Sequence, residues 1–220
     1  MKSYLLLFLL FLSVVSFAQE DHYTKVMQKN LMMMDSARGI GDYLKLSNSF
    51  ERIADAEKSR WIPYYYSAFC LLLSSMMDSS NAKKDTYLDK ADQLLSIADS
   101  LQPNNSEIYT LKGFSAQARM IVDPMNRWQK YGSLSNSLFD KAKELDPTNP
   151  RPDYLVGNAT LYTPEQFGGG TQAALPILKL SMNKYNKFKP ETPISPNWGK
   201  GQLEEILKRI EPADSTGSTK

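Results

Sequence analysis

The sequence predicts an all-α protein, an α-solenoid built from antiparallel helix pairs. Three observations carry this. Apolar residues return at intervals of three and four along most of the chain, which is helical spacing, and no alternating run is long enough to suggest a sheet. A small–large–small triplet recurs along the chain. A further small residue then follows three of those triplets at a constant step of 15 positions.

Taken in order, the chain opens with Lys2, an apolar run from Tyr4 to Val15 and the small-residue pattern Ser16-Phe17-Ala18. That is the layout of a secretory signal, and the run is short of the roughly 20 residues that span a bilayer. The expected domains are therefore a signal peptide over 1–18, cut after Ala18, a helical domain over 19–211, and a polar tail over 212–220 that lacks any large apolar side chain. A periplasmic or secreted protein with no stable membrane span after cleavage follows. Helices are expected at Asp21 to Arg38, ended by Gly39 and Gly41, and at Asp42 to Lys58. Three pairs come next: Pro63 to Met77 with Thr86 to Leu101, Ser106 to Val122 with Leu134 to Leu145, and Pro150 to Tyr162 with Ala173 to Phe188. Gln202 to Ile210 closes the series, and loops are expected at 78–84, 123–132 and 163–171.

The triplets read Ala91, Leu95, Ala98 and Ser135, Phe139, Ala142, with weaker copies at Leu46, Phe50, Ile53 and Ala174, Leu178, Ser181. Spacings of four and three put each set on one helical face. Pro103 and Pro147 stand five residues beyond the first two sets, where proline stops a helix. From Ile53 to Ala68, Ala98 to Gly113 and Ala142 to Gly157 the step is the same, and a small residue there lets two helices approach closely.

These residues, above all "SLQPNNSEIYTLKG" and "ELDPTNPRPDYLVG", resemble the tetratricopeptide repeat. The resemblance covers about Asp42 to Lys189, with corresponding positions 45, 44 and 39 residues apart against 34 in that family. An irregular or HEAT-like α-solenoid fits the longer period. The resemblance implies a right-handed solenoid whose first helices line a concave groove. Carried over by position, the groove residues are Tyr65, Phe69, Phe114, Gln117, Arg151, Tyr154, Asn158 and Tyr162, with Ile62, Glu107 and Thr110 beside them. The family's carboxylate grip is incomplete here, because only Arg151 and Asn158 suit it. "TPEQFGGGTQAAL", followed by "PNWG" at Pro196 to Gly199, also resembles periplasmic helical-repeat proteins of the TRAP-transporter T-component type.

Two functional classes follow: an interaction scaffold in the cell envelope that binds a protein or peptide, and a small-ligand-binding or transport-associated protein that takes an apolar molecule. Taking away Lys2 leaves 25 of the 26 basic residues against 24 acidic ones, which argues against nucleic acid as a partner. The single cysteine, Cys70, sits in an apolar run and reads as a small buried hydrophobe. The single histidine, His22, has no second His or Cys for a metal site. No cofactor, metal site or catalytic constellation is expected, so the chain reads as a binding protein and not an enzyme. Gly168–Gly170 precedes a helix and reads as either an anion cradle or a tight crossing, while "DPMNRWQKYG" at 123–132 reads as a contact loop or an ordinary surface. The methionines at 32–34 and the tyrosines at 64–66 read as packing surface.

Overall fold

Each apolar stripe becomes a helix. A computed structural model describes residues 22–210, so the leader and tail expected at the two ends lie outside the described residues. The helices are α1 (22–35), α2 (Ile40–Ala56), α3 (Trp61–Met77), α4 (Asn81–Leu101), α5 (Ser106–Val122), α6 (Pro124–Arg127), α7 (Ser133–Leu145), α8 (Arg151–Tyr162), α9 (Thr171–Tyr185) and α10 (Lys200–Ile210). No strand occurs among the described residues, and no described helix is long and apolar enough to cross a membrane. The fold is all-α.

The chain forms two compact units. The first holds α1 to α4 together with Glu191–Ser195. Its centre is α3, which packs against both α2 and α4 and buries Tyr65, Tyr66, Phe69, Cys70 and Leu72. Phe50 stacks on Tyr66 at 5.4 Å, and Tyr66 meets Tyr65 edge to face at 5.2 Å, the offset geometries that aromatic quadrupoles favour. Ser47 and Ser67 satisfy each other at 2.8 Å inside this core. The Tyr66 hydroxyl donates to the Ser195 carbonyl at 3.2 Å and so ties the 191–195 segment to α3. Cys70 is buried beside Met34, and burial pushes its thiol pKa up, leaving it a packing group.

The second unit holds α5 to α10. Here the triplets explain themselves. A β-carbon added at Gly113 would lie 2.7 Å from the Phe139 ring, and one at Gly157 would lie 2.6 Å from Leu178. The large residue of each triplet thus presses on the glycine of the helix before it, joining α5 to α7 and α8 to α9. Small triplet members cap the contact: Ser135 donates to the Gly113 carbonyl at 3.0 Å and Ser181 to the Pro150 carbonyl at 2.8 Å. Both pairs are antiparallel.

Three expectations need correction. Helix α4 starts at Asn81, five residues before Thr86, because the Ser80 hydroxyl accepts the Lys83 N–H as an N-cap although the first turn carries no large apolar residue. The segment 123–132 is not a loop but α6 followed by a π-helical turn, Trp128–Gly132. Met32 and Met33 do not pack; they face solvent at 64% and 54% exposure.

The Gly113 crossing gives a direct test. Gly113→Ala should cost about 1–3 kcal/mol in urea unfolding by overpacking against Phe139. Phe139→Leu in the same chain should recover part of the loss, and a Gly113→Ala protein as stable as wild type would show that the crossing is not tight.

Candidate functional site

The least expected group in the second unit is Arg151, whose side chain is fully buried in the first turn of α8. A buried charge must be paired and hydrogen-bonded. Nη1 donates to Glu107 Oε1 at 2.7 Å, and Nη2 donates to the Pro196 carbonyl at 2.6 Å. Phe188, Trp198 and Tyr185 surround the guanidinium at 4.6, 5.4 and 5.9 Å, within reach of cation–π attraction. Beside it, Asn149 donates to the Ser106 hydroxyl at 2.9 Å. The beginnings of α5 and α8 are therefore pinned together.

That geometry fixes the other end of the unit. Helix α7 runs back along α5, since Ser106 bonds Ala142 while Ser135 bonds Gly113, and the turn at 146–150 sends α8 out again in the direction of α5. Helices α5 and α8 consequently finish at the same end. Toward that end Met125 (86% exposed), Trp128 (59%), Tyr162 (67%) and Phe167 (76%) face solvent, with Ile121 and Leu134 also exposed. Exposed large apolar side chains of this kind are a feature of binding surfaces. Arg127 and Lys130 flank Trp128, and its π-helical turn is a form common at functional sites. Arg209 of α10 donates to the Tyr162 hydroxyl at 2.9 Å.

The residues expected to share a groove divide by burial. Tyr65, Phe69, Phe114, Gln117 and Arg151 lie in the interior of their units. Along α8, Tyr154 is mostly buried and sits edge-on to Trp198 at 6.4 Å, Asn158 is half-buried, and Tyr162 emerges. Burial, with the nearby Tyr162 phenol adding, pushes the Tyr154 pKa up to about 12. Sequence reasoning missed Phe167 and Arg209. Phe167 stood in plain view in "TPEQFGGG", where a large apolar residue in a turn is itself a signal; Arg209 is 47 positions from Tyr162 and gave none.

The glycine motifs are structural. Gly168, Gly169 and Gly170 donate their N–H groups to the carbonyls of Glu165, Pro164 and Thr160, so these three do not converge on an anion. Gly199 has φ 101°, and a β-carbon there would lie 2.1 Å from the Tyr185 hydroxyl, which itself donates to the Trp198 carbonyl. Pockets open among the described residues of the first unit. One, of about 410 Å³, is lined by Tyr23, Arg60, Trp61, Ile62 and Ile194, with Arg60 stacked 4.3 Å over the Tyr23 ring. Another, of about 630 Å³, lies between α1 and α2. No group of three or more metal-ligating side chains occurs among the described residues.

Fold and site together define a helical protein that presents an apolar, cation-flanked surface to solvent. No family model and no curated protein sequence matches the chain. Among solved structures, the HusA haemophore from Porphyromonas gingivalis is 34% identical and superposes with a TM-score of 0.77, over 90% of this chain and 96% of that one. The chain belongs to the family of that haemophore. This corrects the tetratricopeptide assignment: the spacing that suggested it is the spacing any antiparallel pair needs to seat Phe139 on Gly113 or Leu178 on Gly157. The scaffold reading, which rested on that resemblance, is overturned by the same finding.

The Tyr154 phenol sets a pH dependence. A pKa raised from 10 to about 12 means that the folded state holds the proton more tightly than the unfolded state. Its contribution is full below pH 10 and is lost as pH rises toward 12. Stability to urea should therefore fall between pH 10 and 12, and Tyr154→Phe should flatten that fall; an unchanged slope would show that Tyr154 titrates normally.

Proposed function

We propose that this chain is an exported haem-binding protein that holds the porphyrin on the exposed apolar end of the second unit. One observation carries the reading: the 34% identity to a haemophore across nearly the whole of both chains. The chemistry of the end supports it. A porphyrin is a flat apolar disc with two carboxylates. Trp128 offers a stacking face, Met125 and Phe167 offer apolar cover, and Arg127 and Lys130 offer cations to the carboxylates. The chain has one histidine, exposed His22 in α1, so a pair of histidines from one chain cannot hold the iron. Tyr162 is the group suited to face it: tyrosine oxygen is a known haem-iron ligand, and the Arg209 guanidinium holds its hydroxyl in place by a hydrogen bond. The proposal takes the protein as a binder and not a catalyst, released after Ala18, with its antiparallel pairs continuing as a right-handed solenoid.

Titrating ferric haem into the mature protein and following the porphyrin absorption band tests this. Saturable binding is expected. Trp128→Ala should weaken it by about 2 kcal/mol, roughly 30-fold, as truncating a hot spot does. Lys141→Ala, on the outer face of α7, should change little. Tyr162→Phe should weaken ferric haem but leave iron-free protoporphyrin unaffected. No saturable binding would overturn the proposal, and equal effects of Trp128→Ala and Lys141→Ala would move the ligand off this end.

A further inference from the structure

The groove between α1 and α2 is unexplained by the haem reading. Its walls are one face of each helix: Lys29, Met33 and Ser36 on one side, Asp42, Lys45, Ser49 and Arg52 on the other, over a floor of Asn30, Ala37 and Leu46. Its volume of about 630 Å³ is that of an ordinary small-ligand site. Two features set it apart. The rim is built from the exposed thioethers of Met32 and Met33, flexible and polarizable groups that adapt to apolar ligands of varied shape. The charge is lopsided: three cations, Lys29, Lys45 and Arg52, face a single carboxylate, Asp42, which already accepts the Arg38 backbone N–H at 3.1 Å. None of the three cations makes an ion pair with a described residue. Their aliphatic stems can lie along an apolar ligand while their charged heads meet an anion.

We infer that this groove is a second ligand site, for an apolar molecule that carries a carboxylate. A fatty-acid anion and a porphyrin dicarboxylate share that chemistry. The apolar body would lie on Leu46, Ala37 and the two methionines, and the carboxylate would meet Lys45 and Arg52. The inference stands independently of the haem reading, because every residue it uses belongs to the first unit.

The experiment titrates the mature protein with dodecanoate, with uncharged dodecanol and with iron-free protoporphyrin, reading amide chemical shifts. Dodecanoate should shift residues 29–52 and bind at least ten-fold more tightly than dodecanol. The double variant Lys45→Glu, Arg52→Glu should weaken dodecanoate at least ten-fold and leave dodecanol unchanged, while Met32→Gln with Met33→Gln should weaken both; these residues are at the surface, and a melting curve checks that each variant folds. Protoporphyrin shifting the same residues would name the porphyrin as a source of the ligand, and shifts from dodecanoate alone would name the fatty acid. No binding to wild type, equal affinity for dodecanol, or indifference to the double charge reversal would overturn the inference. So would loss of dodecanoate binding in Trp128→Ala, which would place the probe on the second unit. Failure here leaves the ferric-haem titration of Trp128 and Tyr162 variants untouched, so the two ideas fall separately.

Discussion

The second unit depends on one buried charge. Arg151 sits where water cannot solvate it, and a guanidinium in that position is tolerable only if its donors and faces are met. Glu107 from α5 and the Pro196 carbonyl from the closing segment meet its two terminal nitrogens, and the rings of Tyr185, Phe188 and Trp198 surround it. Such an arrangement is weak evidence for stability, because desolvating both ions offsets much of their attraction. Its use is positional. The planar fork of arginine admits few geometries, so it sets where α5 begins relative to α8 and where the chain returns after α9. Everything at the far end, where those two helices stop, inherits that register.

The far end contrasts with it. At the Arg151 end, aromatic rings are enclosed and both terminal guanidinium nitrogens are hydrogen-bonded; at the other, Trp128, Met125, Tyr162 and Phe167 face solvent. The contrast runs along a single helix. Arg151, Tyr154, Asn158 and Tyr162 share one stripe of α8, yet they pass from full burial to 67% exposure in eleven residues. A rigid anchor at one end and uncovered apolar surface at the other is the arrangement a binding site needs, because the side chains that meet a ligand are then positioned in advance.

How much of this was legible in the sequence follows from range. Helix spacing is local, so α5 was readable to the residue and α7 and α8 to within one. The crossings were readable too, because a glycine recurring at a fixed step from a small–large–small triplet encodes a close approach, and Phe139 on Gly113 realises it. The family was misread for the same reason: that code reports helix packing, which unrelated helical proteins share. Burial along α8 was not legible, since it depends on α9, α10 and the 196–199 segment folding back over one end of the stripe. Nor was the role of Arg151, whose partners stand 44 and 45 positions away. The π-helical turn at Trp128 was read as a loop because its residues lack a 3.6-residue stripe to announce a helix.

The scarcity of strong iron ligands bears on how the proposed haem site would gain affinity. With one histidine in the chain, tight coordination from both faces of the iron is not available from histidine. The porphyrin itself must then supply most of the binding energy. Apolar surface removed from water contributes about 25 cal/mol per Å², so each 100 Å² covered contributes about 2.5 kcal/mol before the costs of association. Large flat side chains achieve that coverage with few torsions to order, and Trp128 and Phe167 are of that kind. A single phenol at Tyr162, steadied by Arg209, would add preference for the iron-bearing form without making the iron a lock. A carrier that must also release its cargo is better served by a broad, shallow surface than by two strong metal bonds, because surface contacts can be lost one at a time.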